Sequence, residues 1–307
     1  MAEDVAGDPM SEAKWVRRSL SVVAQQLAKR QFRVGRTTVR RLLKKLDYGL
    51  CRNRKSLTGK PHPDRDRQFR YIAKVKKLFL AAGRPVISVD TKKKELVGNF
   101  LNSGQSWTKE ADKVNVHDFP QDALGRAVPY GIYDLTHNQG YVYVGTSHDT
   151  PEFAAYAIAQ WWADPDRPRF QQEDQLLILA DAGGSNNCRY WLWKKHVQEQ
   201  LADLFGIEVL VCHYPTGASK WNPIEYRLFS QISLNWAGKP LRSWTTILNY
   251  IRGTVTETGL RVKAFLVDRI FDRNQKVSKQ ERAALLLKRR PICPNWNYML
   301  LPRSCSE

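Results

Sequence analysis

Three acidic residues stand at places where a strand or helix end would present them. Asp90 closes the β-branched run PVISVD, and Asp181 closes the apolar run QLLILAD just before Gly183 and Gly184. Glu225 falls in the first turn of a predicted helix, NPIEYRLFSQISLNW. In an α/β sheet the carboxyl ends of neighbouring parallel strands open on one edge, where ligands bind. Carboxylates from these three places can converge on two divalent cations about 4 Å apart, one activating an attacking oxygen and the other stabilising the leaving one. A transferring phosphoryl group needs concentrated positive charge at its oxygens and no covalent protein intermediate, so the implied chemistry is at a phosphodiester. Taken singly, each acid also fits a turn or cap, as Asp134, Asp149 and Asp166 are read, and Glu225 suits the positive end of a helix. The conjunction, with Asp181 delivered by a buried strand into a glycine bend, favours the metal site.

Residues near these acids extend the picture. His213 and Lys220 lie between the last strand and Glu225, within reach of a scissile phosphate, and Asn222 is placed to orient the carboxylate by a hydrogen bond. His213 fits equally a satisfied structural histidine. Lys92, Lys93 and Lys94 follow Asp90 directly and would grip backbone phosphate beside a metal site, or line a solvated strand edge. Trp161, Trp191 and Trp193 sit at helical spacing and read as core rather than as stacking platforms.

The elements that must position these residues follow from the hydrophobic rhythm beyond Pro85. A strand ends at Asp90, and two alternating runs around HNQG, YGIYDLTHNQGYVYVG, predict a hairpin. Thr150-Pro151 caps a helix carrying Phe153, Ala157, Ile158 and Trp161 on one face. QLLILA and IEVLVCH predict buried strands, separated by a helix that ends at Gly206. This order builds a mixed sheet with an antiparallel hairpin and parallel crossover strands, flanked by helices.

Charge divides the chain. The 307 residues carry a formal net charge of +19, and residues 1–84 hold 22 Lys and Arg against 7 Asp and Glu. A basic head is the electrostatic footprint of a polyanion. Within it, SVVAQQLAKR and RTTVRRLLKKLDYG predict two helices across Gly35, with Val39, Leu42, Leu43 and Leu46 turned inward. The pair reads as a helix-turn-helix over 19–49, whose second helix offers Arg36, Thr37, Thr38, Arg40, Arg41, Lys44 and Lys45 to double-stranded DNA; a plain helical hairpin has the same pattern. Residues 1–18 read as disordered, 50–68 as a linker, and 69–307 as the α/β body. Five scattered cysteines without a CxxC pair read as reduced thiols. No stretch approaches the ~18 apolar residues of a membrane span, so the expected place is the bacterial cytoplasm, at the nucleoid.

Longer strings carry a family likeness. VISVDTKKKELVGNF, HDFP at 117–120, YGIYD, ILADAGGSN, CHYPTGASKWNPIEYRLFS, TGLRV and the terminal NWNY closely resemble the Rhodopirellula-type DDE transposases of bacterial insertion sequences, from about residue 20 to 300. Asn222-Pro223-Ile224-Glu225 also resembles the segment bearing the last acid in the wider Tc-mariner group. The resemblance implies an RNase H-like catalytic core with Asp90, Asp181 and Glu225 as the metal-binding triad. It implies two Mg²⁺ ions, with Mn²⁺ as a substitute, acting on terminal inverted repeats and on target DNA. One active site per element end makes a homodimer or larger assembly the geometric expectation. A nuclease of the same fold without strand transfer, and a silent DNA-binding remnant, are the alternatives.

Overall fold

Alternation along two central strands sets the architecture. The structure, a computed structural model, describes residues 19–49 and 62–303 and the backbone of two short strands, β1 (Val5–Gly7) and β2 (Lys14–Val16). The chain divides into two compact units, Met1–Leu57 and Thr58–Glu307.

In the first unit β1 and β2 pair antiparallel, Val5 opposite Val16, within a segment that composition had marked as disordered. Helix α1 (Leu20–Lys29) starts on Ser19, whose hydroxyl accepts from the Val22 N–H, and α2 (Arg36–Lys45) starts after Gly35. The two predicted helices are therefore present. Their inward face is narrower than expected: Val39 is buried, but Leu42 is 43% and Leu46 67% exposed. Two ten-residue helices can cover each other only near their contact, so side chains a turn away from it stay in solvent.

In the second unit, α3 (Arg65–Ala81) leads into β3 (Val86–Thr91) and β4 (Glu95–Val97). The predicted hairpin is β5 (Gly125–Asp134) and β6 (Gln139–Gly145), turning on Asn138 in the left-handed region. Then come α4 (Pro151–Ala163), β7 (Gln175–Ala180), α5 (Trp191–Val197), β8 (Glu208–His213), α6 (Ser230–Asn235) and α7 (Trp244–Arg252). The chain closes with β9 (Arg261–Val267), α8 (Lys279–Ala283), β10 (Leu287–Arg289) and β11 (Asn297–Leu300). The sheet runs β10-β11-β8-β7-β3-β5-β6-β9, with β4 on β5. Strands β3, β7 and β8 are parallel, and β3-β5-β6 form the antiparallel part. This is the expected mixed sheet, an antiparallel hairpin joined to parallel crossover strands and flanked by helices.

Ile87 and Val89 of β3, with Ile178 and Ala180 of β7, face α4 and α5, where Trp161 and Trp193 are fully buried. Val86, Leu177 and Leu179 point the other way, onto α3. Period-two geometry then puts Ser88 and Asp90 on the same face as Val86. Helix α3 begins ahead of the boundary drawn at 69. Gln68 is fully buried and donates to the His213 carbonyl (2.8 Å) and to Asn297 Oδ1 (2.7 Å), so the expected linker stops before Arg65; residues 50–61 lie outside the described part. Cys188, Cys212 and Cys293 are buried free thiols. Among the described residues no helix is long and apolar enough to cross a membrane.

Gly131 lies directly opposite Asp90 across the β3-β5 ladder. A Cβ there would overlap the Phe229 ring and come 2.9 Å from Ile224 Cδ1, so the bare backbone lets the segment bearing Glu225 settle onto the sheet. Gly131→Ala is expected to destabilise the protein by about 1–3 kcal/mol and to slow DNA cleavage, read by denaturant unfolding and by a nicking assay.

Candidate active site

Asp90 and Asp181 are delivered to one sheet edge by neighbouring parallel strands. Val89 pairs in register with Ala180, so the next residue of each strand is a catalytic candidate. Asp181 precedes a tight turn at Gly184, whose φ of 61° suits glycine. Glu225 arrives from the face packed over the hairpin, at the start of a π-type turn (Glu225–Phe229) that continues into α6. Such turns are frequent at functional sites, because widening a helix by one residue re-aims the side chains.

The segment before Glu225 is pinned to β3. Ser88, fully buried, donates to Asn222 Oδ1, and its oxygen accepts the Ile224 N–H at 3.0 Å; Asn222 also donates to the Val89 carbonyl at 3.2 Å. Asn222 thus differs from its expected role. Its amide holds the strand at Ser88 and Val89, the two residues before Asp90, instead of orienting the Glu225 carboxylate, because the helix start is anchored through its backbone.

The electrostatics bind the three acids together. Burial and then the nearby Asp181 charge push Asp90 up to about 8, against an opposing hydrogen bond from the Thr91 N–H, with Glu225 and Asp149 adding to the rise. Burial raises Asp181, while the Ala182 and Gly183 N–H groups and the Ser219 hydroxyl draw it down. Burial also raises Glu225; Lys92 opposes this and Asp181 reinforces it. Burial thus disfavours ionisation of all three carboxylates, and neighbouring acids add to the rise at Asp90 and Glu225. The donor set is all oxygen, which suits Mg²⁺ or Mn²⁺ over softer metals. Among the described residues no group of three or more His, Cys, Asp and Glu side chains is already placed to hold a metal ion. The acids are coupled through space.

Several supporting residues sit elsewhere than the sequence suggested. Lys92 is buried, its ammonium 4.6 Å from the Trp236 ring centre and 3.9 Å from Glu95, turned toward Glu225 rather than toward solvent. The alternation that exposes Lys93, whose side chain is 80% accessible, turns Lys92 in. Lys94 pairs with Asp149 at 3.1 Å, and Asp149 also accepts from the Thr91 hydroxyl (3.0 Å). Asp149, read from sequence as a turn residue, is therefore a fourth acid beside Asp90, invisible to a search for acids at strand ends. Lys220 lies 4.3 Å from the Trp221 ring centre.

His213 is fully buried and pushed down to about 4 by its burial, so it is neutral. Its Nδ1 is 2.9 Å from the Asp181 carbonyl oxygen, which can only accept; Nδ1 therefore carries the proton. Nε2 then accepts from the Tyr298 hydroxyl (2.9 Å), and that oxygen accepts from Trp193 Nε1 (2.8 Å). The expected contact of His213 with phosphate gives way to a buried chain that fixes the backbone of Asp181. Tyr298, from the NWNY string on β11, was not singled out as a site residue. Tyr298→Phe leaves Nε2 and the indole N–H without partners and is expected to cost about 1–3 kcal/mol, measured by denaturant unfolding.

A mixed sheet with two carboxylates at the ends of neighbouring parallel strands, and a third coupled to them electrostatically, is an arrangement suited to phosphodiester chemistry. The chain matches, over residues 1–302, the family described as the Rhodopirellula transposase DDE domain, and it belongs to that family. It is a DNA transposase of the DDE type, an enzyme of metal-dependent DNA cleavage and strand transfer. Similar solved structures include the Mos1 transposase paired-end complex with left transposon end, 13% identical with a TM-score of 0.44, covering 80% of this chain and 73% of that one. A pre-cleavage Mos1 transpososome is 12% identical with a TM-score of 0.45, covering 76% and 66%. No curated protein matches the chain.

Proposed function

We propose that Asp90, Asp181 and Glu225 are the metal-binding catalytic triad, and that the protein cuts the phosphodiester at an element end and joins the freed 3′-hydroxyl to target DNA. The observation that carries this reading is the register of β3 and β7, which brings Asp90 and Asp181 side by side, with Glu225 electrostatically coupled to both. The three carboxylates would hold two Mg²⁺ or Mn²⁺ ions. Bound there, the metal supplies Lewis-acid stabilisation of charge on the phosphate oxygens. Ser88 and Asn222 hold Glu225 against β3, the His213 chain holds Asp181, and Lys92 places a buried positive charge beside Glu225.

The substrates are the terminal inverted repeats and target DNA. The first unit would bind the repeat through Arg36, Thr37, Thr38, Arg40, Arg41, Lys44 and Lys45 of α2, as the second helix of a helix-turn-helix, and exposed Lys93 would touch backbone phosphate. Two ends require two active sites, so the working form is a dimer or larger assembly on DNA.

The test is cleavage of a labelled duplex carrying the flanking element end, with Mg²⁺ or Mn²⁺. Wild type is expected to nick at the boundary, and Asp90→Ala, Asp181→Ala and Glu225→Ala to bind without cutting. Binding by wild type without cutting under either metal would overturn the reading.

A further inference from the structure

A cavity of about 680 Å³ opens beside the acidic edge, with Asp181 in its wall. Its remaining charged lining is mostly basic: Lys194, Arg189 and Arg289, against Asp64. Lys194 is the unusual member. It is only 2% exposed, and its ammonium donates to the carbonyls of Cys188 and, at 3.4 Å, Tyr190. An ammonium has three protons, of which these carbonyls engage two, and the Trp191 and Tyr298 rings lie 5.4 and 5.1 Å from it without supplying a negative charge. Among the described residues no carboxylate pairs with it.

The two arginines are exposed, and they too lack a carboxylate partner among the described residues. Arg289 donates to the Pro294 carbonyl (2.8 Å) and to Asn295 Oδ1 (3.2 Å), and neither guanidinium forms an ion pair among the described residues. Asp64 lies 3.9 Å from Arg67, so its charge is already shared. A buried cation without an anion is costly, and a fold retains one most readily where a ligand brings the missing charge.

We propose that this cavity is a subsite for one backbone phosphate of the DNA strand whose scissile bond lies at Asp181, held by Lys194, Arg189 and Arg289. The proposal rests on the triad reading, since Asp181 forms the wall shared by the cavity and the acidic edge. The ligand is a phosphodiester oxyanion rather than a base, so the subsite fixes the path of the strand and carries no sequence preference.

The experiment places a single neutral methylphosphonate, in turn, at each phosphate flanking the scissile bond of a short element-end duplex. Single-turnover cleavage is then compared for wild type, Lys194→Met, Arg189→Gln and Arg289→Gln. At one position the neutral linkage is expected to slow wild type about 10-fold, yet slow the variants less than about 2-fold, because their contact is already lost. Each variant should also flatten the slope of log affinity on log salt by about one. Independent, multiplying effects at every position would overturn the subsite. Absence of cleavage by wild type would instead refute the triad reading, and the same scan read as duplex affinity in EDTA would still decide the subsite. Both arginines are exposed at the surface, so their variants carry the test even where Lys194→Met fails to fold.

Discussion

Asp181→Ala is expected to lower cleavage by a factor on the order of 10³ or more while leaving duplex affinity within about 2-fold. The reason is the position of the side chain. Asp181 follows β7 directly, its backbone is held by neutral His213, and its charge is the strongest ionic influence on Asp90. On the proposed reading, removing it deletes a metal donor that Asp149, engaged by Lys94 and by the Thr91 hydroxyl, does not replace. Asp181→Glu should restore little, since an added methylene displaces the carboxylate by more than a metal–oxygen bond tolerates. Single-turnover nicking beside a filter-binding or anisotropy titration separates the two effects. Equal loss of binding and cutting would show that Asp181 acts on the fold.

The second large effect is the coupling of metal binding to protons. Asp90, pushed up to about 8, carries a proton at neutral pH in the metal-free protein, and a cation must displace it. Apparent Mn²⁺ affinity is therefore expected to fall about tenfold for each pH unit below about 8, and to level off above it. The sign for stability is opposite. The folded state binds this proton more tightly than the unfolded chain, whose aspartate titrates near its model value of 3.8. Metal-free stability should therefore decline as pH rises from about 4 to about 8. Asp90→Asn removes the penalty and is expected to raise Tm at pH 8 by about 2–8 °C while abolishing cleavage. Calorimetry of metal-free wild type and variant across that range checks both; a variant less stable than wild type at pH 8 would contradict the electrostatic account.

Much of this was legible in the chain. The β-branched run to Asp90 and the apolar run to Asp181 gave parallel central strands, and HNQG gave the hairpin, because burial and turn chemistry are written locally. Thr150 and Pro151 began α4 as expected, with the Thr150 hydroxyl accepting from Phe153 N–H. The short strands were less visible: β4, β10 and β11 have only three or four residues each, and their pairing is decided by the strands they lie against. The acids could be proposed from their places at element ends. Their supports could not, since Ser88, Asp149 and Tyr298 gain meaning only from partners 134, 58 and 85 positions away.

The register that joins Asp90 to Asp181 also bears on when activity emerges during folding. Val89 and Ala180 are partners across 91 positions, and the hairpin, α4 and the loop before β7 lie between them. Pairings of such long range form slowly, after the local hairpin has closed. A chain still emerging from the ribosome with β7 unmade holds one acid of the three, and a fragment ending before Glu225 holds two. Nuclease activity should thus return in refolding only with the last tertiary signal, so incomplete chains would leave the host's DNA uncut.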